Sequence, residues 1–189
     1  MEEPLVEGGT IRKLWIGETD QYRDHLLRLD AESRHCRFGG TIDDDTIRRH
    51  VDTTDHSGVV LHGFFVDGVL RGVAELRFLG APFANAAETA FSIEKPWQSH
   101  GVGSALLERC LLTARNRGVQ RLHMICLSEN RRMQQLARKF EAELAFDFGS
   151  VIGDVETPFP TPFSVLREFV ADSNGFAKAV LNAQMRMLR

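Results

Sequence analysis

The stretch Gln98-Ser99-His100-Gly101-Val102-Gly103-Ser104 sets two glycines two residues apart just before an apolar run. Without a Cβ at either glycine, a bound group can approach the backbone closely. Consecutive N–H groups between Ser99 and Ser104 can then converge on one point, beside the positive end of the helix that follows. The occupant of such a loop is an anion, and a pyrophosphate is the natural one. Two familiar nucleotide loops fail on the residues. A dinucleotide fingerprint needs a third glycine where Leu106 stands, and a P-loop needs a lysine after its last glycine. An empty strand-to-helix turn stays open as the alternative.

The neighbouring elements decide what this loop faces. Thr10 to Ile16 is predicted as a strand, followed by a helix with Thr19 as N-cap and Leu26, Leu27 and Leu29 on its buried side. A second short helix is expected over "DDDTIRRHV", whose three aspartates suit a helix N-terminus. "VVLHGFFV" and "VLRGVAELRF" flank Asp67-Gly68, a dipeptide that tight hairpins prefer. After a loop around Pro82, Ala87 to Glu94 forms a strand that runs into the glycine loop. The helix after the loop repeats apolar residues at Leu106, Leu107, Cys110, Leu111 and Ala114 and stops at Gly118.

"RLHMICL" is apolar on both faces apart from His123, which predicts a central strand. Met133, Leu136, Ala137 and Phe140 mark one more helix, and "AFDFGSVIGDVE" a last pair of strands. "TPFPTPF" interrupts regular structure, and two short helices, 163–171 and 176–188, are expected on either side of "DSNG". Met185 and Met187 in that tail are expected to pack rather than to bind a ligand. The order β-α-α-β-β-β-α-β-α-β-β, with a helical tail, describes an α/β fold with a mixed sheet and helices on its faces.

The strand before the loop ends with backbone groups that an extended, amide-containing chain such as pantetheine could pair with. At this level the sequence resembles the GNAT N-acetyltransferases. Gln98-Ser99-His100-Gly101-Val102-Gly103 matches that family's Q/R-x-x-G-x-G/A acyl-CoA loop, and the strand, helix and "N-x-x-M" helix start follow in the family's order. "ETAFSIEKPWQSHGVGSALL" and "LDAESRHCRFGG" are most similar to the catalytic domain of bacterial protein-lysine acetyltransferases.

The resemblance covers about residues 10 to 157, and it implies a GNAT-like, mostly antiparallel sheet. It divides the chain into an acyltransferase domain over 1–157 and a helical extension over 158–189, packed on the same domain or on a partner. It further implies acetyl-CoA as co-substrate, with its pyrophosphate on Gln98, Ser99, His100, Gly101, Val102, Gly103 and Ser104. Its pantetheine would lie along Phe91, Ser92 and Ile93, with Asn130 and Met133 nearby.

Transfer to an amine requires a neutral amine, whereas a lysine has a pKa of about 10.4, so a base must remove a proton. Glu88 is the first candidate. Period-two alternation places it on one face with Ala90, Ser92 and Glu94, and the related subgroup carries a glutamate ten residues before the loop glutamine. Glu94, expected to be exposed, and Glu75 are reserves. The family's usual acid, a tyrosine in the helix after Asn130, is replaced by Ala137, and Tyr22 is the sole tyrosine. Beside these, His123 reads as a hydrogen-bonded core histidine, and His100 equally as a phosphate contact or an exposed residue. Cys126 reads as a buried apolar residue, and Arg131 and Arg132 as residues near phosphates or solvent.

Composition narrows the classes. A chain of 189 residues supports one core, and its net charge of −3 gives no general attraction to nucleic acid or anionic membranes. No apolar run is long enough for a membrane span. Three cysteines lie far apart without metal-ligand spacing, and "MEEPLVEGGT" lacks the regions of a signal peptide, so no metal and a cytoplasmic location are expected. The expected function is N-acetyl transfer to a protein lysine or a small amine, with a homo-oligomer possible. A non-catalytic acyl-CoA sensor is the alternative, and an adaptor with an empty glycine turn is a weaker third.

Overall fold

Seven strands hydrogen-bond in the order β1-β2-β3-β4-β5-β7-β6. They are β1 (Thr10–Lys13), β2 (Val59–Val66), β3 (Val69–Leu79), β4 (Ala86–Ile93), β5 (Arg121–Leu127), β6 (Glu143–Asp147) and β7 (Ser150–Glu156). Six helices accompany them: α1 (Thr19–Arg28), α2 (Ala31–Phe38), α3 (Asp44–Asp52), α4 (Val102–Asn116), α5 (Arg131–Lys139) and α6 (Pro162–Met187). This computed structural model describes residues 8–54, 58–80 and 85–187. The expected loop around Pro82 and the tail side chains Met185, Met187 and Leu188 lie outside what is described.

All neighbouring strands are antiparallel except β4 and β5, which run parallel. One face of the sheet is covered by α1 and α3, whose Leu26, Ile47 and Val51 pack on Val59, Leu61 and Val73. On the other face Leu106, Leu107 and Cys110 of α4 meet Val60, Phe64, Leu76 and Leu122. Each fully buried leucine there contributes roughly 2 kcal/mol, so the start of α4 is fixed against the end of β4. Asp67 (φ 50°) and Gly68 (φ 77°) turn β2 into β3 with the two positive dihedrals of a tight hairpin.

The structure departs from the sequence expectations in five respects. β1 ends at Lys13, because Arg12 and Glu18 form a buried two-pronged ion pair, 2.6 Å at each contact, that bends the chain into a 3-10 turn. Glu18, not Thr19, then occupies the cap of α1. A third helix, α2, stands between the two expected ones. Asp30 caps it by accepting from the Ser33 N–H, and Gly39 (φ 72°) ends it.

The tail is one helix, α6, which continues through "DSNG". Gly175 keeps the crossing close there, since a Cβ would stand 3.0 Å from Arg12 Cβ. Lastly, β5 is central but is covered on one side only: Leu122, Met124 and Cys126 are buried, while Ile125 is 49% exposed.

A buried polar chain ties sheet, α4 and α6 together. Thr113 donates to Glu168 at 2.9 Å, so His62 Nε2, 3.0 Å from the Thr113 oxygen, acts as donor to it. His62 Nδ1 has no partner. Burial, with the nearby Arg109 charge, drives the His62 pKa well down, and burial also lowers that of His25 despite the adjacent Glu94.

Both histidines stay neutral when folded while the unfolded chain takes up protons below about pH 6.5. Stability is therefore full above that pH and is lost as pH falls, by about 1.4 kcal/mol per pH unit for each histidine. Denaturation in urea between pH 7.5 and 5.5 checks this. His62→Gln should reduce the slope by about half, and an unchanged slope would show that His62 is not the source.

Candidate active site

β4 and β5 pair from Ala86/Arg121 to Thr89/Met124, and no further. β4 nevertheless continues to Ile93 and β5 to Leu127, so the two strands part in mid-sheet. Glu94 N–H donates to the Arg71 carbonyl at 2.9 Å. By the alternation of an antiparallel ladder, Ser92 and Ala90 also direct their backbone groups to β3, whereas Phe91 and Ile93 direct theirs into the gap. The Ile93 carbonyl accepts from Gln98 Nε2 at 2.8 Å.

A cleft of about 370 Å³ occupies the gap and opens at the glycine loop. Ser99 (φ 63°) and Gly101 (φ 82°) curl that loop, and Gly101 caps α4 in a conformation that L side chains rarely adopt. The first intrahelical bond joins Ala105 N–H to the Gly101 carbonyl. The N–H groups of Val102, Gly103 and Ser104 thus have no acceptor within the helix, at its positive end. Lys139 donates to Ser104 Oγ at 2.9 Å, which brings a cation to the same end of the cleft. These donors and the Lys139 cation could hold an anion at the mouth of the channel between the strands.

Most of the residues expected at a cofactor line this cleft: Phe91, Ser92, Ile93, Gln98, Ser99, Gly101, Gly103, Ser104, Asn130 and Met133. Two do not. His100 is exposed and held to the Gln98 carbonyl at 2.7 Å, and the Val102 side chain is 1% exposed in the core. Two side chains have structural work. Asn130 caps α5 by accepting from Met133 N–H, and Gln98 also donates to Ser33 Oγ and accepts from Arg132.

Glu32, Ser33 and Cys36 of α2 form a further wall that sequence reasoning did not anticipate, as does Lys139. The signal for α2 was present in Asp30-x-x-Ser33 and in Gly39-Gly40, a start and a stop without an apolar stripe. Among the described residues no group of His, Cys, Asp and Glu could hold a metal ion.

The three candidate glutamates separate by their partners. Glu75 is buried and accepts from Tyr22 (2.8 Å), Arg37 (2.7 Å) and Arg77 (2.7 Å). Burial pushes its pKa up, but the bonds from His50, Tyr22 and Arg77 and the Arg37 charge outweigh it and hold the group well below the carboxylate range. Glu94 is buried rather than exposed, because His25, Arg28 and Arg71 converge on it. Burial again raises its pKa, and those partners overcome it to leave about 2. Neither anion is a useful proton acceptor.

Glu88 is different: half-buried, with no hydrogen bond to another side chain among the described residues. It neighbours Arg77 on β3 and His123 on β5, one rung before the strands part, and it feels the Arg37 charge. His123 is half-buried and donates through Nδ1 to Asp154 at 2.6 Å. The bond fixes its ring on the same open face as Glu88. Tyr22 is fully buried against Glu75, its pKa raised by burial, so it cannot stand in for the tyrosine missing at Ala137.

Residues 21–141 match the profile of the acetyltransferase (GNAT) family. Acetyltransferase Pat from Mycolicibacterium smegmatis is 32% identical, over 78% of this chain and 45% of that relative, so the chain spans less than half of its length. Among solved structures, the GNAT domain of S. lividans PAT superposes with a TM-score of 0.68 at 22% identity, covering 78% of this chain and 90% of that domain. The acetyltransferase yncA of Salmonella typhimurium, determined with acetyl-CoA, gives a TM-score of 0.59 at 18% identity, covering 80% and 95%. At those identities the structures speak to the fold, while the profile and the Pat likeness speak to descent. The parted strands, the glycine loop before α4 and these matches agree: the chain belongs to the GNAT family of acetyltransferases.

Proposed function

We propose that the protein transfers an acetyl group from acetyl-CoA to a primary amine, on a protein lysine or a small molecule, by direct attack within a ternary complex. The observation that carries this is the parting of β4 and β5, with the glycine loop at its mouth and the Glu88–His123 rung one step behind the last paired rung, just beyond the residues that line the cleft. Gly101, Gly103, Ser104 and Lys139 would hold the pyrophosphate, and the backbone of Phe91 would pair with the pantetheine amides. Acetyl-CoA supplies an activated acyl carbon and a thiolate that leaves without an obligatory acid.

Glu88 accepts the proton of the incoming ammonium group, and the neutral amine that results is the nucleophile. Arg77 and Arg37 lie near this carboxylate without capping it, since both are bonded to Glu75. The likeness to acetyltransferase Pat favours a protein lysine as acceptor. Ala137 and the sequestered Tyr22 are what favour the second reading, an acyl-CoA sensor without turnover. Release of coenzyme A in the presence of an amine and peptide panel separates the two.

Three substitutions give distinct outcomes. Glu88→Gln should leave coenzyme A affinity and melting unchanged while turnover falls about 10²- to 10⁴-fold, with partial recovery at high pH. Turnover at the wild-type rate near neutral pH would remove Glu88 from the role. Glu75→Gln should act on the fold instead, because the buried Arg37 loses its counter-charge, at a cost of about 3 kcal/mol in urea denaturation. In Gly103→Val, calorimetry should find coenzyme A affinity greatly reduced in a folded protein. A Cβ there meets Leu136 and Ile93 at ordinary contact distances of 3.5 and 3.6 Å, while the branches enter the cleft. Unaltered binding would place the phosphates elsewhere.

A further inference from the structure

Helix α6 lies on its own chain by its small residues. Ser164, Ala171, Gly175 and Ala179 are buried where it crosses α4 and β1. Most of its large apolar surface faces outward, although the Phe176 ring also meets Trp15 of its own chain edge-on, 5.2 Å between centroids. Val165, Leu166, Phe169, Val170, Phe176 and Leu181 are each 50 to 69% exposed, and Val180 is 40% exposed. At roughly 100 Å² each, half the area of a large apolar side chain, these seven display about 700 Å². A monomer tolerates a patch of about 300–600 Å², and a standard interface takes about 800 Å² from each partner.

The pattern on that face is symmetric about Ser173. Val170 and Phe176 stand three positions to either side, Phe169 and Ala177 four, Leu166 and Val180 seven, and Val165 and Leu181 eight. Offsets of three, four, seven and eight trace one helical stripe. We infer that α6 joins two copies of this chain, antiparallel about a two-fold axis at Ser173. In that register Phe176 meets the partner's Val170, and Leu166 meets the partner's Val180. A two-fold contact must be self-complementary, and this stripe is. The small Ser173 at the axis lets the helices approach closely.

Sedimentation equilibrium at micromolar concentration tests the assignment. Wild type should have twice the chain mass of 21.3 kDa. Leu166→Glu and Val180→Lys should each be monomeric with wild-type melting, since both positions face away from the core. Mixed in equal amounts they should recover the doubled mass, because the introduced carboxylate of one chain meets the introduced amine of the other. Ser173→Cys should cross-link between chains when diamide oxidises its two thiols to a disulfide and is itself reduced.

A monomeric wild type, which would leave the face to a different partner, overturns the inference. So does a dimer that neither substitution weakens, or a mixture that stays monomeric while Ser173→Cys fails to cross-link.

Discussion

Two parallel strands cannot part inside a sheet without stranding backbone donors and acceptors, and in this protein that constraint organises everything else. β4 and β5 separate after Thr89 and Met124, leaving the inward groups of Phe91 and Ile93 without a strand. One of those groups is answered within the chain, by the Gln98 side chain on the Ile93 carbonyl. The gap is walled by α2 on one side and α5 on the other, and Gln98 links them through Ser33 and Arg132. The glycine loop, the opening and the walls therefore form one unit. Its geometry rests on α4, whose apolar face is buried in the core cluster.

Charge on the α1–α3 side of the sheet is sorted by function. The buried carboxylates Glu18, Glu75 and Glu94 are each met by arginine, and they serve as joints: between β1 and α1, between β3 and α2, and between α1 and the end of β4. Breaking such a joint leaves an uncompensated buried charge, which is costly, so these groups are committed to the fold. A proton acceptor must be free of that commitment. Glu88, proposed for that role, is free of it because its neighbours Arg77 and Arg37 spend their hydrogen bonds on Glu75.

The sequence made legible the elements whose signals are local. The Asp67-Gly68 turn, the alternation of β4, the apolar face of α4 and the paired glycines each state their structure within a few residues. α2 did not, because it buries no side chain fully and so carries no stripe to detect. "DSNG" reads as a break, yet the helix runs through it, since packing on α4 and β1 overrides the local preference. Glu94 was misjudged for a related reason. Its three partners, at positions 25, 28 and 71, are remote in sequence, and only the folded chain brings them together. The wall that α2 gives the cleft was missed along with the helix itself.

The two outer strands of the sheet meet different fates. β1 has four residues and lies beneath α6, with Gly175 seated on Arg12, so a foreign strand has little free ladder to join. Among the described residues no strand lies beyond β6, and its Phe146 is 66% exposed. Its sequence, Glu143-Leu144-Ala145-Phe146-Asp147, carries an acid at each end. Were two copies of this strand to align antiparallel and in register, Glu143 of each would stand opposite Asp147 of the other. Like charges directly across a ladder repel. The strand left uncovered thus discourages, by its own end residues, the stacking that leads towards fibrils.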